Sequence, residues 1–552
     1  MKKYGLWLLL PALLLFLAAC TTSSGSEEKE DTDEAETDTG EAAEDEGGDS
    51  EDDVLYMNNG EEPTSLDPPI GFDSVSWEVL NNLMEGLTRL GQDDTPQPGM
   101  AEDWDVSDDG KTYTFHLRDD ANWSNGDPVT AGDFAYAWRK LLDPETGSSA
   151  AFLGYFIEGG EAYNAGDGSA EDVAVKAVDE KTFEVTLKSP TGFFLHIVSN
   201  PAFFPVNQEV AENNPEWHTE ADSFVANGPF ELESWTHDKE MILTRNTEYW
   251  DSDTVKLDEV NWVMVDDVNT EYQMYESGEL DVTEIPSEMA EQRIDGDDVV
   301  IDDQAGVYFY RFNLGEEPFQ NQKIRKAFAL SVNQDDIVNY VTKNKEKAAN
   351  AFVSPGFTSP SGDDFRDVNG DLVNFDPEKA KQLLEEGMEE EGYDELPPVT
   401  LTYNTDEQHK AIAETMQNMF SENLGIDVEL ANTEWNVFLE DQKELNLQFS
   451  RSSFLFDYGD PINFLESFIT DSTMNRTDWS NEEYDELIAQ AKQESDEEKR
   501  WELMYDAEEM LAEAMPIFPI HYYNHVFIHK EGVDNIVRHP VGYLELKWAE
   551  KN

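Results

Sequence analysis

The chain has 552 residues, of which 39% are hydrophobic and 11% aromatic, enough for several domains around a large core. It carries 121 aspartate and glutamate residues against 36 lysine and arginine residues, giving a net charge of −85. This charge excludes a nucleic-acid-binding protein with a basic face, because phosphates would be repelled. It favours a protein from a high-salt environment, where counterions screen self-repulsion; an acidic protein from an ordinary or alkaline environment is the alternative.

The first twenty residues are typical of a secretory signal. Lys2 and Lys3 precede a short apolar run that ends in LAAC at 17–20, and the run is too short to predict a spanning helix. Its end resembles the bacterial lipobox, in which the cysteine thiol receives diacylglycerol. Cys20 is the only cysteine and has no partner for an internal disulfide, which favours lipidation and a membrane anchor. A signal peptide that happens to end near a cysteine is the alternative.

The segment that follows, residues 21–53, is predicted to be disordered. It combines sixteen acidic residues with Lys29 and contains no large apolar residue. Such a segment cannot bury enough apolar surface to fold, and its like charges extend it. It is therefore predicted to be a tether between the anchor and a folded body.

The first half of the body shows strand patterns with one clear helix start. Residues 113–117 alternate apolar and polar side chains, as do residues 181–190, and both patterns predict half-buried strands. Thr130-x-x-Asp133 resembles a capping box that opens the helix AGDFAYAWRKLL. Two further strands are predicted within residues 227–246, joined by a short turn.

The second half adds longer helices. Amphipathic helices are predicted within residues 378–388 and at 407–423, the latter leading into the strand IDVELAN. Residues 481–514 predict two successive helices broken near Ser495, and the prolines and aromatic residues of IFPIHYYNHVFIH predict a strand. The result is a mixed α/β protein with more than one lobe. Because no long Gly/Ser linker divides the body, we expect crossing strands to join the lobes.

One apolar strand ends in an unexpected carboxylate. In RSSFLFDYGDP, residues 451–461, the apolar run of residues 454–456 is followed directly by Asp457. A carboxylate is rarely buried without a cation. Asp457 could pair with Arg451, cap the turn before Gly459, or bind a cationic group of a ligand.

Segments in the same order along residues 54–549 resemble the extracellular solute-binding proteins, family 5, of ABC peptide importers. They are SLDPP at 65–69, LMEGL at 83–87, the run 98–138, NGPFELESW, YESGELDVTEI at 275–285, the run 312–338, YNTDEQHKAIAE and NTEWNVFLEDQ. The similarity is strongest to the oligopeptide-binding branch. It implies a two-lobed α/β fold of the periplasmic-binding-protein type (type II, cluster C) with an extra inserted α/β domain.

The resemblance also implies domain boundaries. The expected order is a signal at 1–19, a tether at 20–53, lobe I at 54–84, an inserted domain at 85–205, lobe I again at 206–307, lobe II at 308–525, and a final part of lobe I at 526–552.

By the same resemblance, the ligand is an oligopeptide that lies extended between the lobes as an added strand. Its backbone is expected to pair with Phe72, Asp73 and Ser74 on one side and with Ser453, Phe454 and Leu455 on the other. Asp457 stands where the family binds the peptide α-ammonium. The expected partners are the permease subunits of an ABC transporter and, through Cys20, the outer face of the cell membrane; a monomer is expected.

The peptide C-terminus and the side-chain pockets are assigned by matching positions. Arg451 and His409 match basic residues that bind the carboxylate, and Lys443 lies near another such position; Trp435 and Tyr523 match pocket walls. Arg451 could equally form a structural ion pair, His409 could be a surface histidine, and the two aromatic residues could belong to the core. The family often has tryptophan-cysteine where this chain has Phe454-Leu455, which leaves pocket volume and length preference open.

Other functions fit the sequence less well. There is no GxSxG, HExxH or Gly-rich phosphate loop, so no enzyme and no cofactor are predicted. The alternatives are a binder of a metal complex (nickel, metallophore or haem) and a peptide-pheromone receptor. His521, His525 and His529 are spaced by four, but on a strand the outer two lie about 26 Å apart at roughly 3.3 Å per residue, so they cannot share one ion. No metal site is therefore predicted.

Overall fold

The computed structural model describes residues 53–286, 289–470 and 472–552, without the side chain of Glu291. Cys20 and the predicted tether up to residue 52 lie outside this part of the chain. None of the helices in the described ranges combines the length and the apolar character needed to cross a bilayer.

The strands are distributed over the whole body. In chain order they are β1 Val54–Asn58, β2 Thr88–Leu90, β3 Pro96–Pro98, β4 Ala101–Val106, β5 Thr112–Leu117, β6 Val175–Ala177, β7 Thr182–Thr186, β8 Phe230–Thr236, β9 Glu240–Arg245, β10 Glu259–Val263, β11 Val282–Glu284, β12 Val299–Phe312, β13 Lys347–Ala348, β14 Val399–Asn404, β15 Val428–Thr433, β16 Phe449–Leu455, β17 Ile517–His529, β18 Val533–Asp534, β19 Val537–Arg538, β20 Leu544–Glu545 and β21 Glu550–Lys551.

The helices alternate with these strands. They are α1 Ser74–Leu83, α2 Ala131–Leu142, α3 Gly160–Asn164, α4 Phe194–Ile197, α5 Gln208–Asn213, α6 Val268–Ser277, α7 Ala290–Arg293, α8 Gln322–Leu330, α9 Gln334–Ile337, α10 Phe365–Asn369, α11 Pro377–Glu391, α12 Glu407–Leu424, α13 Trp435–Lys443, α14 Ile462–Leu465, α15 Glu482–Ala491 and α16 Glu497–Ala514.

The local predictions with a clear physical signal are confirmed. The Asp133 carboxylate accepts a hydrogen bond from the Thr130 backbone N–H at 2.9 Å, and the Thr130 side chain accepts from the Asp133 backbone N–H, which together form the capping box that starts α2. The predicted break near Ser495 separates α15 from α16, and the side chain of Asp496 caps the second helix. The segment IFPIHYYNHVFIH forms the strand β17.

Lobe I is built on the sheet β1-β10-β9-β8, in which β1 runs parallel to β10. The C-terminal segment packs on this lobe. The Asn82 side chain at the end of α1 donates to the Leu544 carbonyl at 2.9 Å and accepts from the Leu546 N–H at 2.8 Å. These bonds join residues far apart in sequence, and the assignment of residues 526–552 to lobe I stays a prediction.

The inserted domain lies between α1 and β8. Its sheet has the order β4-β5-β7-β6, and α2 packs against β6 and β7. The core is aromatic: Trp138 of α2 makes edge contacts with Phe183 and Phe203, at 4.9 and 5.0 Å between ring centroids. The predicted limits of this domain, 85–205, stay predictions.

A third sheet joins lobe I to lobe II, with the order β11-β17-β12-β16-β14-β15 and β13 on β17. The long strands β12 and β17 run antiparallel to each other; β17 pairs with β11 at one end of the sheet, and β12 pairs with β16 on its other side. These two are the predicted crossing strands. Their register shifts between Asp303 and Val307 and again after Tyr308, so the ladder is irregular where the chain passes between the lobes.

Candidate functional site

The strand β16 leaves part of one edge unpaired. It pairs with β12 along its whole length, but β14 pairs only with its first two residues, Phe449 and Ser450. Beyond them, the Arg451 carbonyl accepts a hydrogen bond from the Gln442 side chain at 2.8 Å. The edge is therefore open only after residue 451.

The phase of the ladder decides which backbone groups face this edge. The Asn313 N–H donates to the Gln448 carbonyl and the Phe456 N–H to the Ala305 carbonyl, so the even-numbered residues of β16 point their N–H and C=O groups at β12. Phe454, opposite Val307, is one of them.

The odd-numbered residues Ser453 and Leu455 point their N–H and C=O groups away from β12, toward the open edge. No partner for these groups exists within the described ranges. Leu455 is 51% exposed. An unpaired strand edge of this kind is a template for an added strand.

Asp457 follows this edge and has no cation beside it. No lysine, arginine or histidine nitrogen in the described part of the chain lies within 4.0 Å of its carboxylate, so the pairing with Arg451 does not occur. Its backbone N–H donates to the Asn463 side chain at 2.8 Å. Burial raises the pKa of Asp457 to about 6; a hydrogen bond between the Asn463 side chain and the Asp457 carboxylate opposes this shift, and the charge of Glu466 adds to it.

Asp457 does not cap the following turn either. That role belongs to Asp460, whose carboxylate accepts from the Ile462 N–H at 2.9 Å and binds both terminal nitrogens of Arg500, at 2.8 and 2.6 Å. The Arg500–Asp460 pair is buried, and the Arg500 guanidinium lies over the Phe193 ring. The ion pair between Asp460 and Arg500 thus fixes the segment that carries Asp457.

Arg451, His409 and Tyr523 lie together on one face of the β12–β16 sheet, around Tyr308. The Arg451 guanidinium lies 4.8 Å from the centre of the Tyr308 ring, and His409 Nδ1 lies 3.3 Å from the Tyr308 hydroxyl. His521 stacks on Tyr308 and makes an edge contact with Tyr523. Arg451 has no carboxylate within 4.0 Å in the described ranges, so it is not in a structural ion pair there.

This cluster is positive at Arg451 and neutral elsewhere. Burial, and then the charge of Arg451, lower the pKa of His409 to about 4. Burial also raises the pKa of Tyr523, while the neighbouring Arg451 opposes that shift. Tyr308, which the sequence did not single out as a site residue, is the centre of the group. Its only sequence signal is its place in the alternating run VYFYRF.

The lobe I segment is placed at the start of α1. The Asp73 carboxylate accepts from the Ser76 N–H at 2.7 Å and caps the helix, and the Asp73 carbonyl accepts from the Trp77 N–H. Phe72 packs edge-on against Trp77. The N–H groups of Phe72, Asp73 and Ser74 have no partner within the described ranges. Their predicted contact with a peptide backbone stays a prediction.

Trp435 begins the helix that follows β15. It is the first residue of α13, is 49% exposed, and stacks on Phe438 of the same helix. Its predicted role as a pocket wall stays a prediction.

The three histidines of β17 lie on a strand, as predicted. Burial lowers the pKa of His521, His525 and His529 to about 4 in each case. Across the described ranges, no three His, Cys, Asp or Glu side chains are grouped so that they could hold a metal ion.

Comparison with known proteins identifies the family. The model of the bacterial extracellular solute-binding proteins, family 5, matches residues 95–476. The dipeptide-binding protein DppE of Bacillus subtilis is 58% identical over 551 residues, which cover 100% of this chain and 99% of the relative.

Two solved structures share the two-lobed fold. The unliganded open form of the periplasmic murein tripeptide binding protein MppA superposes with a TM-score of 0.81 at 30% identity, covering 91% of this chain and 98% of that one. Listeria monocytogenes OppA bound to peptide gives a TM-score of 0.70 at 32% identity, covering 91% and 100%. The fold therefore has the predicted two-lobed α/β architecture, and the chain is a binding protein of a transport system and not an enzyme. It belongs to the bacterial extracellular solute-binding proteins, family 5.

Proposed function

We propose that the chain captures peptides in extended form between its two lobes and delivers them to the permease of an ABC transporter. The observation that carries this proposal is the open edge of β16 at Ser453 and Leu455, which ends beside the unpaired carboxylate of Asp457. The names of its relatives agree: DppE is a dipeptide-binding protein, and the Listeria OppA structure holds a peptide.

The proposed binding mode is tolerant of sequence. A peptide that pairs with Ser453 and Leu455 exchanges backbone N–H and C=O bonds, which every amino acid except proline can make. Each bond contributes about 0.5–1.5 kcal/mol net, so several bonds and the two charged ends are needed for micromolar affinity, roughly −8 kcal/mol.

The charged ends set a limit to peptide length. The α-ammonium is proposed to bind Asp457, and the α-carboxylate Arg451 and His409. Asp457 lies six positions after Arg451, which in extended backbone is about 20 Å at roughly 3.3 Å per residue. A peptide that reaches both ends is therefore no longer than about six residues.

Closure of the lobes is proposed to complete the site. The structure superposes better on the open, unliganded relative than on the peptide-bound one, with TM-scores of 0.81 and 0.70. In this open state the N–H groups of Phe72 to Ser74 are available on lobe I, and closure about β12 and β17 would bring them to the peptide.

Replacing Leu455 by proline is expected to weaken peptide binding by about 1 kcal/mol, roughly fivefold in Kd, because it removes one N–H from the open edge. The ladder to β12 stays intact, since that N–H faces away from it. Leu455→Ala, which keeps the N–H, is the matched control and should bind a tripeptide such as Ala-Ala-Ala like the parent chain. Equal Kd values for the proline and alanine variants in calorimetry would contradict backbone pairing at this edge.

Peptide affinity is expected to be highest between about pH 6 and pH 8. The unliganded Asp457 has a pKa of about 6, and a bound ammonium lowers it, so binding releases a proton below pH 6 and strengthens up to tenfold per unit as the pH rises. Above about pH 8 the free peptide amine loses its proton and binding weakens. Calorimetry across this range checks both limbs. Asp457→Asn should abolish the weakening of peptide binding below pH 6. If the weakening persists in this variant, a group other than Asp457 causes it.

Attachment to the membrane is proposed to occur through a lipid on Cys20, with residues 21–53 as an extended acidic tether. The excess of acidic residues is proposed to suit a high-salt environment. A Cys20→Ser variant expressed in a lipoprotein-processing host should lose incorporation of a labelled fatty acid; retained label would contradict the anchor.

A further inference from the structure

Arg311 and Arg476 form a second basic group beside the open edge. In the ladder of β12 and β16, Arg311 lies opposite Ser450 and Tyr310 opposite Arg451, so Arg311 and Arg451 project to opposite faces of the sheet. The Arg311 Nε donates to the Ser452 hydroxyl at 2.9 Å, and its Nη1 to the Met474 carbonyl at 2.8 Å.

Arg476 completes this group from the loop after α14. Its Nη1 lies 3.4 Å from the Gln442 side-chain oxygen. The same Gln442 amide donates to the Ser450 hydroxyl and to the Arg451 carbonyl, the last covered acceptor before the open edge begins. Arg476 is therefore joined through one side chain to the start of the open edge.

Neither arginine has a carboxylate partner in the described part of the chain. Within the described ranges no acidic oxygen lies within 4.0 Å of Arg311 or Arg476, although the chain has 121 acidic residues. Other buried arginines do have such partners: Arg89 pairs with Glu545, Arg366 with Glu508 and Arg500 with Asp460.

Arg325 shows what a structural arginine without a carboxylate looks like. Its guanidinium donates to four carbonyl oxygens, those of Phe319, Gln320, Ala514 and Met515.

Arg311 differs from Arg325. It is only 3% exposed, and its five donor hydrogens meet two acceptors. Burial, and then the charge of Arg476, lower the pKa of Arg311 to about 9, and burial lowers that of Arg476. The Arg311 guanidinium also lies over the Phe309 and Phe468 rings, 4.9 and 5.8 Å from their centres. In the described part of the chain the two cations therefore lack a carboxylate, which costs free energy.

A peptide on the open edge would reach this group. The side chains of an added strand alternate between the two faces of a sheet. Those on one face meet Arg451 and Tyr308. Those on the other face would lie on the side of the sheet that carries Ser452, Gln442 and the two guanidinium groups, of which that of Arg476 is the more exposed.

We propose that Arg311 and Arg476 form an anion subsite that binds a carboxylate of the bound peptide, so that acidic peptides are preferred substrates. The proposal rests on the proposed peptide-binding function and adds the chemistry of the ligand to it. The carboxylate comes from an aspartate or glutamate side chain, or from the C-terminus of a peptide whose α-carboxylate does not bind Arg451 and His409. Either source supplies the acceptors that the two guanidinium groups lack.

The test is a glutamate scan of tetra-alanine against the full chain by calorimetry at one fixed salt concentration. Each peptide is paired with its glutamine counterpart, and both are measured with a free and with an amidated C-terminus. Glutamate at one position, or at two positions separated by one residue, is expected to bind roughly tenfold tighter than glutamine if the side chain is the source. If the C-terminus is the source, amidation should weaken every peptide by a similar factor, and this loss should require Arg476; a loss that persists without Arg476 assigns the C-terminus to Arg451 and His409.

Variants assign the effect to the subsite. Arg476→Gln should remove the preference, and Arg476→Glu should convert it into a preference for lysine at the same position, a gain that a misfolded protein cannot show. Where the C-terminus is the source, Arg476→Gln should make free and amidated peptides bind alike. Arg139→Gln is the matched control and should leave the preference unchanged. It removes one positive charge in the inserted domain, where Arg139 donates to the carbonyls of Ala170 and Val175.

Two negative results have different meanings. One such result is that the alanine peptides bind while neither a glutamate nor a free C-terminus increases their affinity in an Arg476-dependent way. This result would overturn the anion subsite but not the proposed capture of peptides. If no peptide of the series binds, the proposed function itself fails, and the subsite fails with it.

Discussion

Replacing Asp457 by alanine is expected to weaken binding of a free-amino peptide by about 3–5 kcal/mol, at least a hundredfold in Kd. Closure would leave the peptide ammonium buried without its partner, and a buried unpaired charge is costly. Asp457 has no cation within 4.0 Å in the described part of the chain, so the unliganded protein loses no ion pair by the change. Calorimetry with a tripeptide measures the difference.

The peptide itself provides the decisive comparison. N-acetylation removes the peptide ammonium. It should strongly weaken binding of the peptide to the parent chain but hardly weaken binding to Asp457→Ala, so the effects of acetylation and of the substitution should not add. Asp427→Ala, at an exposed aspartate before β15, controls for the loss of one negative charge. A loss below about 1 kcal/mol for Asp457→Ala, or an acetylated peptide that binds the parent chain as tightly as the free one, would contradict the role of Asp457.

Replacing Asp460 by asparagine is expected to lower the free energy of unfolding by about 3 kcal/mol, because it removes the nearer carboxylate from the buried Arg500 guanidinium and leaves Glu497, 3.6 Å away, as its counter-charge. The side chains of Arg500 and Asp460 are only 1% and 6% exposed, and two hydrogen bonds of 2.8 and 2.6 Å join them. Urea titration at fixed salt concentration measures the change.

An exposed ion pair supplies the contrast for this experiment. Lys188 and Glu161 form a bond of 2.8 Å with side chains 45% and 61% exposed. Glu161→Gln should therefore change the free energy of unfolding by no more than about 1 kcal/mol. Equal effects of the two substitutions would show that Asp460 does not anchor the segment that carries Asp457.

The sequence predicted the elements whose signals are local. The capping box at Thr130 and Asp133 needs only four neighbouring residues, and the strand at residues 517–529 follows from prolines and aromatic side chains that disfavour a helix. The resemblance to the family added the position of Asp457, which a strand pattern alone leaves open between a ligand contact and a turn cap.

Other features depend on contacts between distant parts of the chain. The register between β16 and β12, about 145 positions earlier in sequence, decides which of residues 453–455 point their N–H and C=O groups at the open edge. The hydrogen bond from the Asn313 N–H to the Gln448 carbonyl shows which residues of β16 face β12 instead. The lack of carboxylates around Arg311 and Arg476 could not be predicted, since in a chain this acidic every arginine has acidic residues near it in sequence.

Native mass spectrometry of residues 54–552, as purified and after mild unfolding that releases bound ligand, tests the central claim most directly. Capture of peptides through the open edge of β16 predicts a mixture of masses that match short peptides, from two to about six residues, the length allowed by roughly 3.3 Å per residue between Asp457 and Arg451. A single non-peptide mass, or a bound metal, would contradict this account and return Asp457 to a structural role.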